Sequence, residues 1–201
     1  RGKDGLKVLD EIEFDGYITL NGQYCYDKDR IIYQNTIDPH DLQNLVNYLD
    51  NHQVPCGFTE EHDKYYNYRD WRVDEIHRIT QNDGQPAKDC SQVCTRKIYQ
   101  CQCFVDEAEE KELLKLMPNC ISARWHPMFC DISPKGGTKQ NGIDKFLEYY
   151  HLQLSETMAF GDGGNDIPML NHVNLAVARG NGNEEVKKAA DYVTVEVDLD
   201  G

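Results

Sequence analysis

The loop at residues 161–166, Gly-Asp-Gly-Gly-Asn-Asp, brings together side chains that could do chemistry. A short apolar stretch at 157–160 precedes it and predicts a buried strand that ends where the loop begins. In an open parallel sheet, ligands bind beyond the carboxyl ends of the strands. Asp162, Asn165 and Asp166 offer the oxygen ligands that Mg²⁺ prefers, with positions left for water and phosphate. The alternative interpretation is a helix N-cap, in which Asn165 or Asp166 begins a helix at 167–171.

A lysine lies at the predicted start of the helix that precedes this strand. Lys139 follows Ser-Pro-Lys-Gly-Gly-Thr at 133–138, and the apolar residues of 137–150 have helical spacing. A lysine there is unfavourable for the helix dipole. Because helix N-termini and ammonium groups both attract phosphate, Lys139 is a candidate phosphate ligand. A solvated side chain is the alternative.

The elements that position these residues belong to the α/β class. Over residues 157–197 the predicted order of strand, loop, helix, strand, helix and strand is typical of a doubly wound parallel sheet. The middle of the chain, about residues 23–131, alternates strands with helices and predicts a small α/β sandwich on a mixed sheet. Within it, Asp38-Pro39 predicts a helix start, and Asp106 with Glu109 predicts a capping box.

Composition limits the class of protein. The 201 residues are 39% hydrophobic, which is enough for one sizeable domain or two small ones. Acidic side chains number 35 and basic ones 21, so the formal net charge is −14. This charge argues against nucleic acid or an anionic membrane as the main partner, since both need a basic surface. Without a bilayer-length apolar run or a signal-peptide pattern, the sequence predicts a cytoplasmic protein.

The eight cysteines are about 4% of the chain, below the roughly 8–10% that is typical of a disulfide scaffold. Cys101 and Cys103 alternate with polar residues, which is strand periodicity with one buried face. We therefore predict buried thiols. The alternative, a zinc site of Cys90, Cys94, Cys101 and Cys103, has an unusual ligand spacing.

Two stretches together resemble a known family. Residues 131–139, Asp-Ile-Ser-Pro-Lys-Gly-Gly-Thr-Lys, and residues 161–170, Gly-Asp-Gly-Gly-Asn-Asp-Ile-Pro-Met-Leu, look like the Cof-type branch of the haloacid dehalogenase-like phosphatases. Residues 177–194 continue the match, and Thr-Leu-Asn-Gly at 19–22 resembles the point where that family's chain leaves its core. The resemblance implies a Rossmann-like parallel-sheet core at 1–21 and 133–201, with a C2-type α/β cap domain inserted at 22–132.

The resemblance also implies roles for these residues. Lys139 is similar to the lysine that neutralises the phosphoryl group and the nucleophile. Asp162 is similar to the aspartate that ligates Mg²⁺, and Asn165 to the residue that hydrogen-bonds the phosphate. Asp166 would be a second acidic group, either a metal ligand or the holder of Lys139. The implied activity is Mg²⁺-dependent hydrolysis of small phosphorylated metabolites, such as sugar phosphates, through an aspartyl-phosphate intermediate.

One part of the family pattern is missing from its usual place. The nucleophile motif, Asp-x-Asp-Gly-Thr, should follow a first strand, and no such motif stands there. Asp198 and Asp200 follow an apolar strand as that motif does, but the required Thr is lacking. We expect the sequence to be a stretch of a longer phosphatase. The alternatives are a non-catalytic protein that binds phosphate or a sugar phosphate, and an inactive fragment whose acidic loop only caps a helix.

Within the predicted cap, Arg124-Trp125-His126-Pro127 is a polar and aromatic cluster. Arg124 is the better candidate for contact with an anionic substrate, because a guanidinium binds phosphate in a bidentate manner. His126 is a weaker candidate. The alternative is structural, with Trp125 packed in the cap sheet and His126 at the start of a turn.

Overall fold

The computed structural model describes residues 14–81 and 84–196. The chain forms two compact units. Of the residues described, we call 14–15 and 34–137 the inserted unit, and 16–33 and 138–196 the core unit. Among the described residues, no helix combines the length and the apolar character needed to cross a membrane.

Strands and helices follow one another along the described chain. The strands are β1 (Gly16–Thr19), β2 (Tyr24–Asp27), β3 (Ile31–Gln34), β4 (Cys56–Thr59), β5 (Lys64–Tyr66), β6 (Gln100–Cys103), β7 (Cys120–His126), β8 (Phe129–Pro134), β9 (Met158–Gly161), β10 (Leu175–Ala178) and β11 (Tyr192–Val193). The helices are α1 (Pro39–His52), α2 (Trp71–Thr80), α3 (Glu107–Leu116), α4 (Lys139–Tyr150), α5 (Ile167–Leu170) and α6 (Glu184–Lys188).

The core unit contains the predicted parallel sheet, in the order β11-β10-β9. One face of this sheet packs against the helices: Ala159 of β9 and Ala178 of β10 are buried with Leu170 of α5 and Val186 of α6. Small side chains on the strands let the two short helices lie close to the sheet. The α/β class and the parallel sheet of the core are thereby confirmed.

The inserted unit of the structure begins and ends later than the predicted cap domain. The sequence analysis placed that domain at residues 22–132; the unit ends at Gly137, and residues 16–33 lie in the core unit. The reason is pairing: β1, β2 and β3 form a three-stranded sheet, in which β1 pairs antiparallel with β2. Asp27 and Asp29 therefore belong to a core hairpin, where the Asp27 carboxylate accepts hydrogen bonds from the backbone N–H groups of Asp29 and Arg30.

The inserted unit is a five-stranded sheet in the order β5-β4-β6-β8-β7. Each pair of neighbouring strands in it is antiparallel, so the prediction of a mixed sheet was wrong. The strands β6 and β7, which α3 connects, run in the same direction, but β8 inserts between them and is antiparallel to both. The sequence pattern of strand, helix and strand was present without the parallel pairing that it usually indicates.

Helices cover both faces of this sheet. Apolar residues of α1 and α3, such as Leu42, Leu45 and Leu113, pack on one face with the buried Cys101 and Cys103. On the other face, α2 packs against aromatic side chains of the sheet. The prediction of buried thiols at Cys101 and Cys103 is confirmed, since both are fully buried.

The predicted helix starts are confirmed by their hydrogen bonds. The carboxylate of Asp38 accepts from the backbone N–H of His40 at 2.8 Å. Asp106 and Glu109 form a reciprocal capping box at the start of α3. These side chains satisfy N–H groups that a helix leaves unpaired in its first turn, which is why local sequence determines where these helices begin.

Gly22 closes the turn at residues 20–22 against the start of α4, and we expect an alanine there to destabilise the fold. Its φ is +92°, and an added Cβ would overlap the carbonyl oxygen of Thr138. We expect Gly22→Ala to lower the free energy of unfolding by about 2–4 kcal/mol, from strain and overpacking together. Urea denaturation measures this, with Gly164→Ala as the control because a Cβ at Gly164 meets no atom within 4 Å. Equal losses in the two variants would contradict the prediction.

Candidate active site

The acidic loop begins at the carboxyl end of β9, where the sequence predicted it. Gly161 ends the strand, residues 164–166 form a single 3₁₀ turn, and α5 follows at once. A Cβ on Gly161 would lie only 2.7 Å from the Cβ of Asp166. The glycine therefore lets the Asp166 side chain fold back against the end of the strand, where it is 6% exposed.

Asp166 organises the loop through both of its carboxylate oxygens. One oxygen, Oδ2, accepts hydrogen bonds from the backbone N–H groups of Asp162 and Gly163, each at 3.1 Å. The other, Oδ1, accepts from the ammonium group of Lys139 and forms an ion pair with it. Of the two roles that the resemblance implied for Asp166, the geometry favours the holder of Lys139.

Lys139 is the first residue of α4, as the sequence predicted. Thr138 caps this helix, its Oγ1 accepting from the backbone N–H of Asn141 at 3.2 Å. The ammonium group thus lies at the positive end of a helix dipole, an arrangement that a neighbouring anion must stabilise. In this structure the Asp166 carboxylate supplies that anion, and the Lys139 side chain remains 30% exposed.

The pKa of Asp166 reports on this pair. Burial alone would raise it, but the hydrogen bonds from Lys139 and from the backbone N–H groups of Gly163 and Asp162 outweigh burial and hold it below the usual range of an aspartate. Because the folded pKa lies below the unfolded one, Asp166 stabilises the fold above its unfolded pKa, and this contribution disappears as the pH falls through the folded pKa.

We expect Lys139→Met to raise the pKa of Asp166, since burial then acts against fewer opposing interactions. A ¹³C NMR titration of the Asp166 carboxyl carbon in the two proteins measures the change. If Asp166 had the same pKa in both proteins, the backbone N–H groups alone would account for its lowered pKa.

Asp162 pairs with a residue that the sequence analysis missed. Its Oδ2 accepts from the guanidinium Nη1 of Arg179 at 2.9 Å, and both side chains are partly exposed. The register of the parallel strands β9 and β10 explains the contact. Gly161 lies opposite Ala178, so the next residues along the two strands, Asp162 and Arg179, are neighbours. The sequence signal was available: both residues directly follow apolar strands of one parallel sheet.

These groups line a cleft of about 410 Å³ in the core unit. Lys139, Asp162, Asp166 and Arg179 form its polar part, together with Asn21 from the turn that follows β1. Asn21 is the second residue that the sequence analysis missed as a site residue; its left-handed φ of 57° suits the Asn-Gly turn. The apolar lining consists of Ile18, Ile143, Phe160 and Met169.

Asn165 belongs to the same loop but is exposed, and it is not among the side chains that line the cleft. Its amide oxygen lies over Gly163, where an added Cβ would approach it to 2.6 Å. The prediction that Asn165 binds phosphate therefore stays a prediction.

The donor set of the cleft fits a magnesium ion better than a transition metal. Within the described residues, no group of three His, Cys, Asp or Glu side chains could hold a metal ion together. Mg²⁺ is commonly bound by one or two carboxylates, with water and phosphate oxygens completing its shell. Asp162 has the more exposed carboxylate, whereas both oxygens of Asp166 already accept hydrogen bonds from protein donors.

Arg124 and His126 lie in the inserted unit, in β7. The Arg124 guanidinium forms an ion pair with Glu110 at 2.6 Å and donates to the carbonyl oxygens of Pro127 and Val105. The His126 ring accepts from the backbone N–H of Met128 and stacks on Phe129. These contacts join Arg124 to α3 and to the turn between β7 and β8, and His126 to that turn and to β8. Their contact with substrate stays a prediction.

Comparison with known proteins identifies the family. The family model of the haloacid dehalogenase-like hydrolases matches residues 3–201. The chain belongs to this family. Its cleft thus lies in the core unit of a haloacid dehalogenase-like hydrolase, at the carboxyl ends of the parallel strands.

Several relatives of this hydrolase carry the name phosphatase. The chain is 32% identical to "Putative phosphatase YkrA" of Bacillus subtilis, over 96% of this chain and 75% of that protein. Among solved structures, the subclass IIB sugar phosphatase BT4131 is 37% identical, with a TM-score of 0.78 over 98% of this chain and 76% of that one. The phosphatase BT1666 of Bacteroides thetaiotaomicron is 32% identical, with a TM-score of 0.86 over 100% and 76%.

Proposed function

We propose that this protein is a Mg²⁺-dependent phosphatase that hydrolyses small phosphomonoesters such as sugar phosphates. One observation carries the proposal: the ammonium group of Lys139, held by Asp166, lines the same cleft as the carboxylate of Asp162. Negative charge develops on a phosphoryl group as it is transferred, and positive groups in the site stabilise it. This electrostatic stabilisation is the largest contribution to the rate that a site of this kind offers. The relation to the sugar phosphatase BT4131 supports the substrate class.

Each residue of the cleft has one proposed task. Bound to the Asp162 carboxylate, Mg²⁺ would neutralise charge on the phosphoryl oxygens. Lys139 donates hydrogen bonds to the phosphoryl oxygens, and Asp166 keeps the ammonium group charged and in position. Asn165 orients the phosphate by a hydrogen bond from its amide. The nucleophile would be an aspartate that is not among the cleft residues described above. Attack on phosphorus by its carboxylate would break the bond to the alcohol oxygen, which leaves as the alcohol with a proton from solvent, and water would then hydrolyse the aspartyl-phosphate to inorganic phosphate and the free carboxylate.

The substrate would be a small phosphorylated metabolite, and a cytoplasmic location is part of the same proposal. The test measures hydrolysis of a panel of sugar phosphates by the full-length protein, with Mg²⁺ and with excess EDTA. We expect turnover only with Mg²⁺. On the 201-residue chain, calorimetry with inorganic phosphate should detect binding that Mg²⁺ strengthens. Phosphate binding without turnover by the full-length protein would instead support a non-catalytic phosphate-binding protein.

Arg179 should weaken the binding of Mg²⁺, because its guanidinium competes with the ion for the Asp162 carboxylate. Both partners are partly exposed, so their pair is worth at most about 1 kcal/mol. We expect Arg179→Met to lower the Kd for Mg²⁺ by about fivefold or less. Calorimetric titration with Mg²⁺ measures this, with Arg78→Met as a control, since Arg78 pairs with Glu75 on the exposed face of α2. Weaker binding in Arg179→Met would mean that Arg179 orients Asp162 for the ion.

A further inference from the structure

The inserted unit contains a second polar cavity that the proposed phosphatase chemistry does not use. It has a volume of about 190 Å³ and lies where α2 meets the sheet. Strands β5, β6 and β8 contribute Lys64, Gln102 and Asp131, and α2 contributes His77. Charged and amide side chains therefore face this cavity, although the side of a sheet that a helix covers is normally apolar.

Strand register brings these side chains to one face. Tyr66 lies opposite Gly57, Gly57 opposite Gln102, and Gln102 opposite Asp131, so the four positions form one row across the sheet. Gly57 lets the Tyr66 ring lie over the sheet, because a Cβ there would approach that ring to 2.8 Å. The Tyr66 hydroxyl donates to the Gln102 amide oxygen at 2.6 Å, and the Lys64 ammonium group donates to the same oxygen at 3.2 Å. Gln102 is thereby held in one orientation.

The buried ring of His77 indicates that the cavity holds a ligand. Its side chain lines the cavity and is 6% exposed. Neither ring nitrogen has a hydrogen-bond partner among the residues that the structure describes. Burial, followed by the charges of Arg69 and Lys64, lowers the pKa of His77, so the ring is neutral at pH 7 and presents one donor and one acceptor. Buried polar groups of this kind are normally satisfied, so this ring requires a partner.

The chemistry of the cavity favours a neutral ligand over an anion. Lys64 supplies positive charge and N–H donors, while the Asp131 carboxylate opposes that charge and would repel an anion. The His77 ring offers one donor and one acceptor, and the Gln102 amide offers N–H donors, because its oxygen already accepts from Tyr66 and Lys64. Hydroxyl groups match this mixture, because each of them donates and accepts. A cavity volume of about 190 Å³ is more than a single water needs, and it suits a short-chain compound.

We propose that this cavity binds a small polyhydroxylated compound of about three to five carbon atoms, with hydroxyl groups that contact Lys64, His77 and Asp131. The proposal goes beyond the phosphatase function and does not depend on it, since the ligand needs no phosphate. Binding would satisfy both nitrogens of the buried imidazole.

The test is an NMR titration of the whole chain with two probes, glycerol and D-ribose. The reporters are the His77 ring nitrogens and the Gln102 side-chain amide. We expect saturable shifts of both reporters with at least one probe, at millimolar concentrations because the ligand is small. Lys64→Met should weaken this binding by about tenfold, the loss of one charged hydrogen bond. His77→Phe should abolish the shift of Gln102, and His62→Phe is the matched control because the His62 side chain is 86% exposed.

Two results would overturn the proposal. If neither probe shifts His77 or Gln102, the cavity does not bind small polyhydroxylated compounds. If inorganic phosphate shifts them and the polyols do not, the site binds anions. Because a core variant can fail to fold, circular dichroism checks each variant, and the wild-type titration decides the question by itself. The probes carry no phosphate, so failure here is distinguishable from failure of the phosphatase proposal.

Discussion

Lys139→Met should lower kcat/KM for phosphomonoester hydrolysis by the full-length protein about 1,000-fold. The ammonium group is the one that Asp166 holds in the cleft, and methionine keeps the length of the side chain without the charge. Removing a single uncharged donor to a developing oxyanion costs about 100–1,000-fold, so a charged donor belongs at the upper end of that range. In the 201-residue chain, Lys139→Met should also lower the affinity for inorganic phosphate by at least about tenfold.

A second lysine of the same helix provides the matched control. Lys145 pairs with Glu148 on the exposed side of α4. Lys145→Met should leave both phosphate affinity and turnover within about twofold of wild type, since surface pairs contribute little. If Lys139→Met retained more than a tenth of the wild-type kcat/KM, the assignment of Lys139 to the phosphoryl group would be wrong.

Asp162→Asn should raise the Kd for Mg²⁺ by at least about 100-fold. The substitution preserves the shape of the side chain but removes the charge, and Mg²⁺ sites in proteins depend on one or two carboxylates. Even residues that only support metal ligands lower metal affinity 10–100-fold when they are mutated, so a direct ligand should cost at least the upper value. Hydrolysis by the full-length protein should fall in parallel and should be partly restored at high Mg²⁺ concentration.

The control for this variant is another carboxylate of the core unit. Asp144 of α4 pairs with His172, and its side chain is 52% exposed. We expect Asp144→Asn to leave the Kd for Mg²⁺ unchanged in calorimetry. If Asp162→Asn binds Mg²⁺ as tightly as wild type, the ion is held elsewhere, and Asp166 becomes the carboxylate to test.

Local sequence determined the parts of this protein that depend on neighbours along the chain. The helix starts at Asp38 and Asp106 followed from side chains that cap their own helices, and the buried Cys101 and Cys103 followed from strand periodicity. The loop at 161–166 was placed correctly because an apolar strand ends directly before it. The family also could be identified from sequence, since its motifs are short and contiguous.

Only the tertiary structure decided which residues meet across the sheets. The contact of Arg179 with Asp162 depends on the register of β10 against β9, and the insertion of β8 between β6 and β7 made the five-stranded sheet antiparallel. The ion pair of Lys139 with Asp166 likewise joins residues that are distant in sequence. Periodicity shows which face of an element is buried, but not which strand pairs with it, because pairing depends on how the whole chain packs.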